Sequence, residues 1–156
     1  MLQVGVDCEE ISRFRRLPFG ENERFYRRIF TPREIWYCTS FRDPYPRFAA
    51  RFAAKEAAIK ALNGKARLFY TDVEVLKGSS EQPKLRFRKK DPGNLSRLRL
   101  SVSLSHSDSH AVAFIVATDS KYLSKKVGQT LKHEAVSIMS RLDGGKTRGA
   151  YGAERI

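Results

Sequence analysis

Cysteine is scarce. The 156 residues contain two, Cys8 and Cys38, with no CxxC spacing and no paired His–Cys cluster. That argues against both a disulfide framework and a zinc site, and reads as reduced thiols in a cytosolic protein. No run approaches 18 consecutive apolar residues, which excludes a membrane-spanning helix. The opening residues, MLQVGVDCEE, reach a carboxylate by position 7, so no signal peptide is expected. There is no GxSxG elbow, no Walker A loop and no GxGxxG, so serine-hydrolase, P-loop and dinucleotide readings lack their signatures. No internal repeat is visible. Acidic residues are also few: 17 Asp and Glu against 30 Lys and Arg, a net charge of +13. A field of that sign favours acidic partners, whether nucleic acid, an anionic membrane surface, polyphosphate ligands or an acidic protein. Charge alone does not choose among them.

What is present is enough for one globular domain, with 41% hydrophobic residues. Leu2 to Val6 alternates and predicts a short strand ending at Asp7. EEISRFRRL follows with Ile11, Phe14 and Leu17 at helical spacing, and Pro18 and Gly20 stop it. ENERFYRRIF predicts a second helical piece. Thr31-Pro32-Arg33-Glu34 then reads as an N-cap, a first-turn proline and a capping box opening a helix through Ile35, Trp36 and Tyr37. After a loop at SFRDPYP, RFAARFAAKEAAIKAL is the strongest helical signal, alanine-rich and closed by Asn63-Gly64. Phe48, Phe52, Ile59 and Leu62 share one of its faces. Beyond it the period changes to two: 71–76, 84–89, 98–106 and 110–118 predict strands. Ser107-Asp108-Ser109 joins the last pair as an antiparallel hairpin. Strand, helices, then strands indicate an α+β fold, a long helix packed on an antiparallel sheet. Residues 119–142 predict a C-terminal helical extension, and 143–156, without pattern, a disordered tail.

Three groups of residues are candidates for chemistry. In the long helix, Lys55, Glu56 and Lys60 interrupt a small, apolar surface. Glu56 and Lys60 sit one turn apart, either as an ordinary helical ion pair or as lining of a cleft. Asp7, at the end of the first strand, either caps the following helix or projects from the sheet as a ligand. Should Asp7 and Glu56 converge, two hard oxygen donors with open positions make a typical Mg²⁺ site, and Lys60 beside them suits a phosphate leaving group. Ser103-Leu104-Ser105-His106, at a strand-to-turn junction, offers phosphate donors or only a turn. The arginines Arg13, Arg15, Arg16, Arg24, Arg27, Arg28 and Arg33, interleaved with Phe14, Phe25 and Tyr26, suit a nucleic-acid surface or an acidic protein helix.

GVDCEEISRF, RFAARFAAKEAAIKAL and SVSLSHSDSHAVAFIVA, in that order and with IFTPREIWYC and TDVEVL between them, resemble the 4′-phosphopantetheinyl transferases. The nearest subgroup is the short holo-acyl-carrier-protein synthase type. The likeness covers residues 2–118, so residues 1–118 are expected to form the transferase domain. It departs at Asn63-Gly64-Lys65, where the subgroup carries a glycine-rich loop, and at Glu9-Glu10. The resemblance implies transfer of the phosphopantetheine arm of coenzyme A to a serine of an apo acyl carrier protein, with release of adenosine 3′,5′-bisphosphate. It implies Mg²⁺ held by Asp7 and Glu56, Glu56 and Lys60 as catalytic groups, and coenzyme A contacts from Arg51, Lys55, Lys60, Ser105 and His106. Arg13, with Arg24 and Arg28, is expected to meet the carrier protein. A cytoplasmic homotrimer with active sites at subunit interfaces, serving fatty acid biosynthesis and engaging neither nucleic acid nor membrane, completes the expectation. The alternative is a basic, non-enzymatic α+β module that binds nucleic acid.

Overall fold

The computed structural model describes residues 2–62, 68–77, 82–88 and 98–119. Of the expected helix over 119–142, Asp119 instead ends a strand; the rest of it, the tail over 143–156 and the loop at Asn63-Gly64-Lys65 lie outside them. Among the described residues the elements are β1 (Leu2–Glu10), α1 (Ile11–Arg15), α2 (Glu23–Ile29), α3 (Pro32–Thr39), α4 (Tyr45–Leu62), β2 (Val73–Lys77), β3 (Pro83–Phe87), β4 (Leu98–His106) and β5 (His110–Asp119). Single 3₁₀ turns at Phe19–Glu21 and Tyr70–Asp72 precede α2 and β2.

β1, β5 and β4 form one antiparallel sheet in that order, and β2 and β3 a separate antiparallel pair. β4 and β5 are the hairpin expected across Ser107–Ser109. β1 does not end at Asp7. Its register runs on through Cys8–Val112 and Glu9–Ala111 to Glu10–His110, because β5 supplies ladder partners that outweigh the poor strand preference of consecutive acidic residues. The first helix is correspondingly short, five residues rather than the nine of EEISRFRRL. Likewise Thr71 and Asp72 belong to the 3₁₀ turn, and the strand expected at 71 begins at Val73.

α4 lies across the inner face of the sheet. Its register differs from that of a surface helix: Ala49, Ala50, Ala53, Ala54, Ala57, Ala58 and Ala61 are all buried, so it is enclosed on nearly every side. Ile59, expected on the apolar face with Phe48, Phe52 and Leu62, stays partly exposed. Around its first half, Phe14, Tyr26, Phe30, Phe48 and Phe52 make an aromatic core, with Tyr26 and Phe48 ring centres 4.6 Å apart. Around its second half, small alanines meet Val73, Val75, Ala113, Ile115 and Ala117. Small side chains here let the helix backbone approach the strands closely.

α3 begins as expected. Thr31 Oγ1 accepts from the Glu34 amide, and the Glu34 carboxylate accepts from the Thr31 amide at 2.8 Å. That carboxylate also accepts from the Val75 amide at 2.9 Å and pairs with the Lys55 ammonium at 2.8 Å. One buried side chain therefore joins α3, α4 and β2.

Candidate active site

The closest approach in the fold builds the site. Along β1 the odd-numbered residues Gln3, Gly5, Asp7 and Glu9 face α4, and the even-numbered ones face outward. At Gly5 a β-carbon would fall 1.9 Å from the Ala57 carbonyl oxygen and 2.8 Å from the Ala61 amide nitrogen, so only glycine allows this crossing. With the helix seated there, Asp7 lies two residues along the same strand face and Lys60 reaches it. The Lys60 ammonium is 2.6 Å from Asp7 Oδ1 and 3.4 Å from the Val6 carbonyl oxygen.

Asp7 is therefore not a helix cap. The cap position of α1 is Glu10, whose side chain makes no capping bond. Nor do Glu56 and Lys60 form the within-helix pair that their spacing allows. Lys60 is committed to Asp7, and Glu56 Oε1 accepts a hydrogen bond from the Tyr70 hydroxyl. Tyr70 has no signal in the sequence beyond being an aromatic before a strand. The charges of Asp7 and Glu56 converge on common neighbours. Both act on Lys60, whose pKa is raised first by its hydrogen bond to Asp7. Both act on Tyr70, pushed up to about 12 by its bond to Glu56, then by burial. Both also act on Glu9, raised above 4.5 chiefly by burial and drawn back by Arg13.

Glu9 is a third carboxylate on this face. Arg13 donates to both of its oxygens, at 3.2 and 3.1 Å, and lies 5.4 Å from the centre of the Phe52 ring. Arg13 thus borders the carboxylate cluster, with half of its side chain exposed.

Other expected residues lie elsewhere. Lys55 is not at the cleft: it is fully buried, its ammonium taken by Glu34 and by the carbonyl oxygens of Tyr70 at 2.9 Å and Val73 at 2.5 Å. Burial pulls its pKa down and Glu34 opposes that. Arg51 is 2% exposed, stacked over Tyr37 with its guanidinium carbon 4.1 Å from the ring centre, and donates to the Arg47 carbonyl. Neither side chain is accessible to a coenzyme. Ser105 and His106, adjacent on β4, face opposite ways. His106 shares the α4 side with Glu9, both opposite Ala111, while Ser105 is on the outer face with Val112 and Cys8. In a single chain, then, Ser105 and Asp7 are on opposite sides of the sheet. Arg24 and Arg28 are exposed on α2.

The donor set suits a hard divalent cation. Among the described residues Asp7 Oδ2 is buried with no hydrogen-bond partner, a state that costs about 1–3 kcal/mol unless something positive meets that oxygen. Among the described residues no group of three or more His, Cys, Asp and Glu is placed to enclose a metal. An ion here would rest on the Asp7 and Glu56 carboxylates and complete its shell with water and substrate oxygens, as Mg²⁺ commonly does.

Comparison with known proteins identifies the family and the fold. Residues 3–115 match the family model of the 4′-phosphopantetheinyl transferase superfamily. A holo-[acyl-carrier-protein] synthase of Dehalococcoides mccartyi (strain CBDB1) is 40% identical over 76% of this chain and 100% of its own length. The enzyme of the same name from Chlamydia caviae is 42% identical over 72% and 93%. Among solved structures, the holo-(acyl-carrier-protein) synthase of Bacillus anthracis in complex with CoA (3′,5′-ADP) superposes with a TM-score of 0.63 at 27% identity, covering 76% of this chain and 96% of that one. The Helicobacter pylori synthase in complex with coenzyme A does so with a TM-score of 0.63 at 28% identity, covering 74% and 99%. The chain belongs to the 4′-phosphopantetheinyl transferase superfamily, within its holo-[acyl-carrier-protein] synthases.

Proposed function

We propose that the chain transfers the 4′-phosphopantetheine group from coenzyme A to a serine of an apo acyl carrier protein. The serine oxygen forms a bond to the phosphorus nearest the pantetheine arm, the bond from that phosphorus to the bridging oxygen breaks, and adenosine 3′,5′-bisphosphate leaves. The observation that supports the reading is the Lys60–Asp7 pair at 2.6 Å, with Asp7 and Glu56 acting on the same neighbours and a buried Asp7 oxygen without a hydrogen-bond partner among the described residues. Two carboxylates alone would repel a diphosphate, so the cluster makes sense with a cation. Mg²⁺ bound by Asp7 and Glu56 would draw charge from the diphosphate oxygens and ease departure of the nucleotide.

The chain's own groups do the rest. Lys60, half exposed and held protonated by Asp7, offers its ammonium to the leaving oxygen as charge develops there. Glu56 accepts the serine proton, directly or through water. Arg13, at the rim, with Arg24 and Arg28, supplies positive surface for an acidic carrier protein. A +13 chain gains long-range attraction for both polyanionic substrates. A nucleic-acid module would have no use for the paired carboxylates.

We further propose a homotrimer joined through the outer sheet face. Leu2, Val4 and Val6 are 51%, 50% and 51% exposed there, an unusual stripe for a strand facing water. Ser105 lies on that same face, so assembly would bring it toward another copy's site. We also propose a cytoplasmic setting and a role in fatty acid biosynthesis, which an acyl carrier protein substrate would suit.

The test is incubation with coenzyme A, Mg²⁺ and an apo carrier protein, followed by mass spectrometry. One phosphopantetheine adduct per carrier supports the proposal. Glu56→Gln, which keeps the shape and weakens the ligand, should lower the rate by at least about 100-fold with the fold intact. Adduct formation near the unsubstituted rate removes Glu56 from the mechanism.

A further inference from the structure

We infer that Tyr70 is a positioning residue that presents the Glu56 carboxylate to the metal ion, an inference that rests on the proposed Mg²⁺ site. Three observations carry it. The Tyr70 hydroxyl donates to Glu56 Oε1 and so fixes one of the two carboxylate oxygens, leaving Oε2 to turn toward a ligand. The ring lies 5.4 Å from Phe52, 30° between planes. Phe52 is one turn before Glu56 on α4, so ring and carboxylate are carried by one helix face. The Tyr70 backbone is anchored independently, its carbonyl accepting from the buried Lys55 ammonium at 2.9 Å.

The ring is therefore held by Phe52 and by the anchored backbone, and its hydroxyl acts as a fixed donor rather than a mobile one. A partly exposed glutamate without such a donor would sample several rotamers, each placing Oε2 differently. With it, the rotamer that bonds Tyr70 is favoured before a metal arrives. Outer partners that orient a ligand in this way commonly account for about 10- to 100-fold in metal affinity. Tyr70 reaches the site through its hydroxyl bond to Glu56 Oε1. Its effect passes through Glu56 alone.

The experiment is Mn²⁺ binding to the full chain, followed by loss of the free-ion electron paramagnetic resonance signal, for the unsubstituted protein, Tyr70→Phe, Glu56→Gln and the double variant. Tyr70→Phe keeps the ring on Phe52 and removes only the hydroxyl. The expected result is a dissociation constant raised about tenfold in Tyr70→Phe, and no further loss when that change is added to Glu56→Gln. In turnover, the half-saturating Mg²⁺ concentration should rise by the same factor while KM for the carrier protein holds. Tyr70→Leu, also lacking the hydroxyl, is the second variant should Tyr70→Phe fail to fold, and should show the same rise. Tyr70→Phe binding Mn²⁺ as tightly as the unsubstituted protein overturns the inference and leaves the metal site standing. Additive losses in the double variant also overturn it. An unsubstituted protein that binds no Mn²⁺, or binds it equally with Glu56→Gln, overturns the metal site and this inference together.

Discussion

Gly5 and Ala57 touch backbone to backbone: a β-carbon on the glycine would stand 1.9 Å from the alanine's carbonyl oxygen. No side chain cushions the contact, so any added atom must push α4 off β1. Gly5→Ala is expected to lower stability by about 3 kcal/mol or more, at the upper end for forced overpacking. It should also reduce transfer, because Asp7 and Lys60 lie on the two elements being separated. The midpoint of urea unfolding and the transfer rate, measured on the same preparation, check both. A variant as stable and as active as the parent would mean that the helix can ride over the strand.

Lys55 is expected to matter for the fold and not for the coenzyme. Lys55→Met removes one partner of a buried pair and leaves Glu34 without its counter-charge, which commonly costs about 3–5 kcal/mol. Urea unfolding reads the loss. In the fraction that folds, KM for coenzyme A should match the parent, and a selective rise in that constant would return Lys55 to the binding site.

Acid should weaken the molecule through Glu74. Burial alone would raise its pKa, but hydrogen bonds from Thr31, at 2.7 Å, and Arg86, and the charge of Arg86, bring it below 4.5. A carboxylate with a lower pKa in the folded than in the unfolded state contributes stability above the unfolded value. That contribution is lost as pH falls through the folded one. Unfolding midpoints should therefore drop below about pH 4.5, and Glu74→Gln should flatten that part of the profile.

Carrier docking should depend on salt. Arg24 and Arg28 are exposed on α2 and Arg13 is half exposed, so their fields are screened beyond about 10 Å at 0.1 M salt. KM for the carrier is expected to rise about tenfold between low and high ionic strength, as for charge-steered encounters. Arg24→Ala with Arg28→Ala should raise it at low salt and shrink the dependence. A constant that ignores salt would count against electrostatic docking.

How much of this was legible in the sequence differs residue by residue. The spacing of Glu56 and Lys60, the strand carrying Asp7, the capping box at Thr31 and the hairpin at Ser107–Ser109 follow from local rules, and the structure has them. The burial of Lys55 has a cause that local sequence does not show. On an alanine-rich helix it looks like its neighbour Glu56, and only Glu34, 21 positions earlier, together with two carbonyl oxygens of the 70–73 segment, makes a dry site tolerable for an ammonium. Tyr70 was invisible because its role depends on one long-range hydroxyl bond. The run from Asp7 to Glu10 looked like a strand end because charge was visible and the partner strand was not.

The Glu34 carboxylate, shared among the Thr31 amide, the Val75 amide and Lys55, has a consequence for how the molecule can change. It pins the inner side of α3 from within, so the outer side carries little of the burden of holding that helix. Trp36, 72% exposed there, can be exchanged to suit a different neighbour while Asp7 and Glu56 stay where they are. The outer face of α3 can therefore drift in sequence without loosening the Glu34 contacts that hold the helix in place.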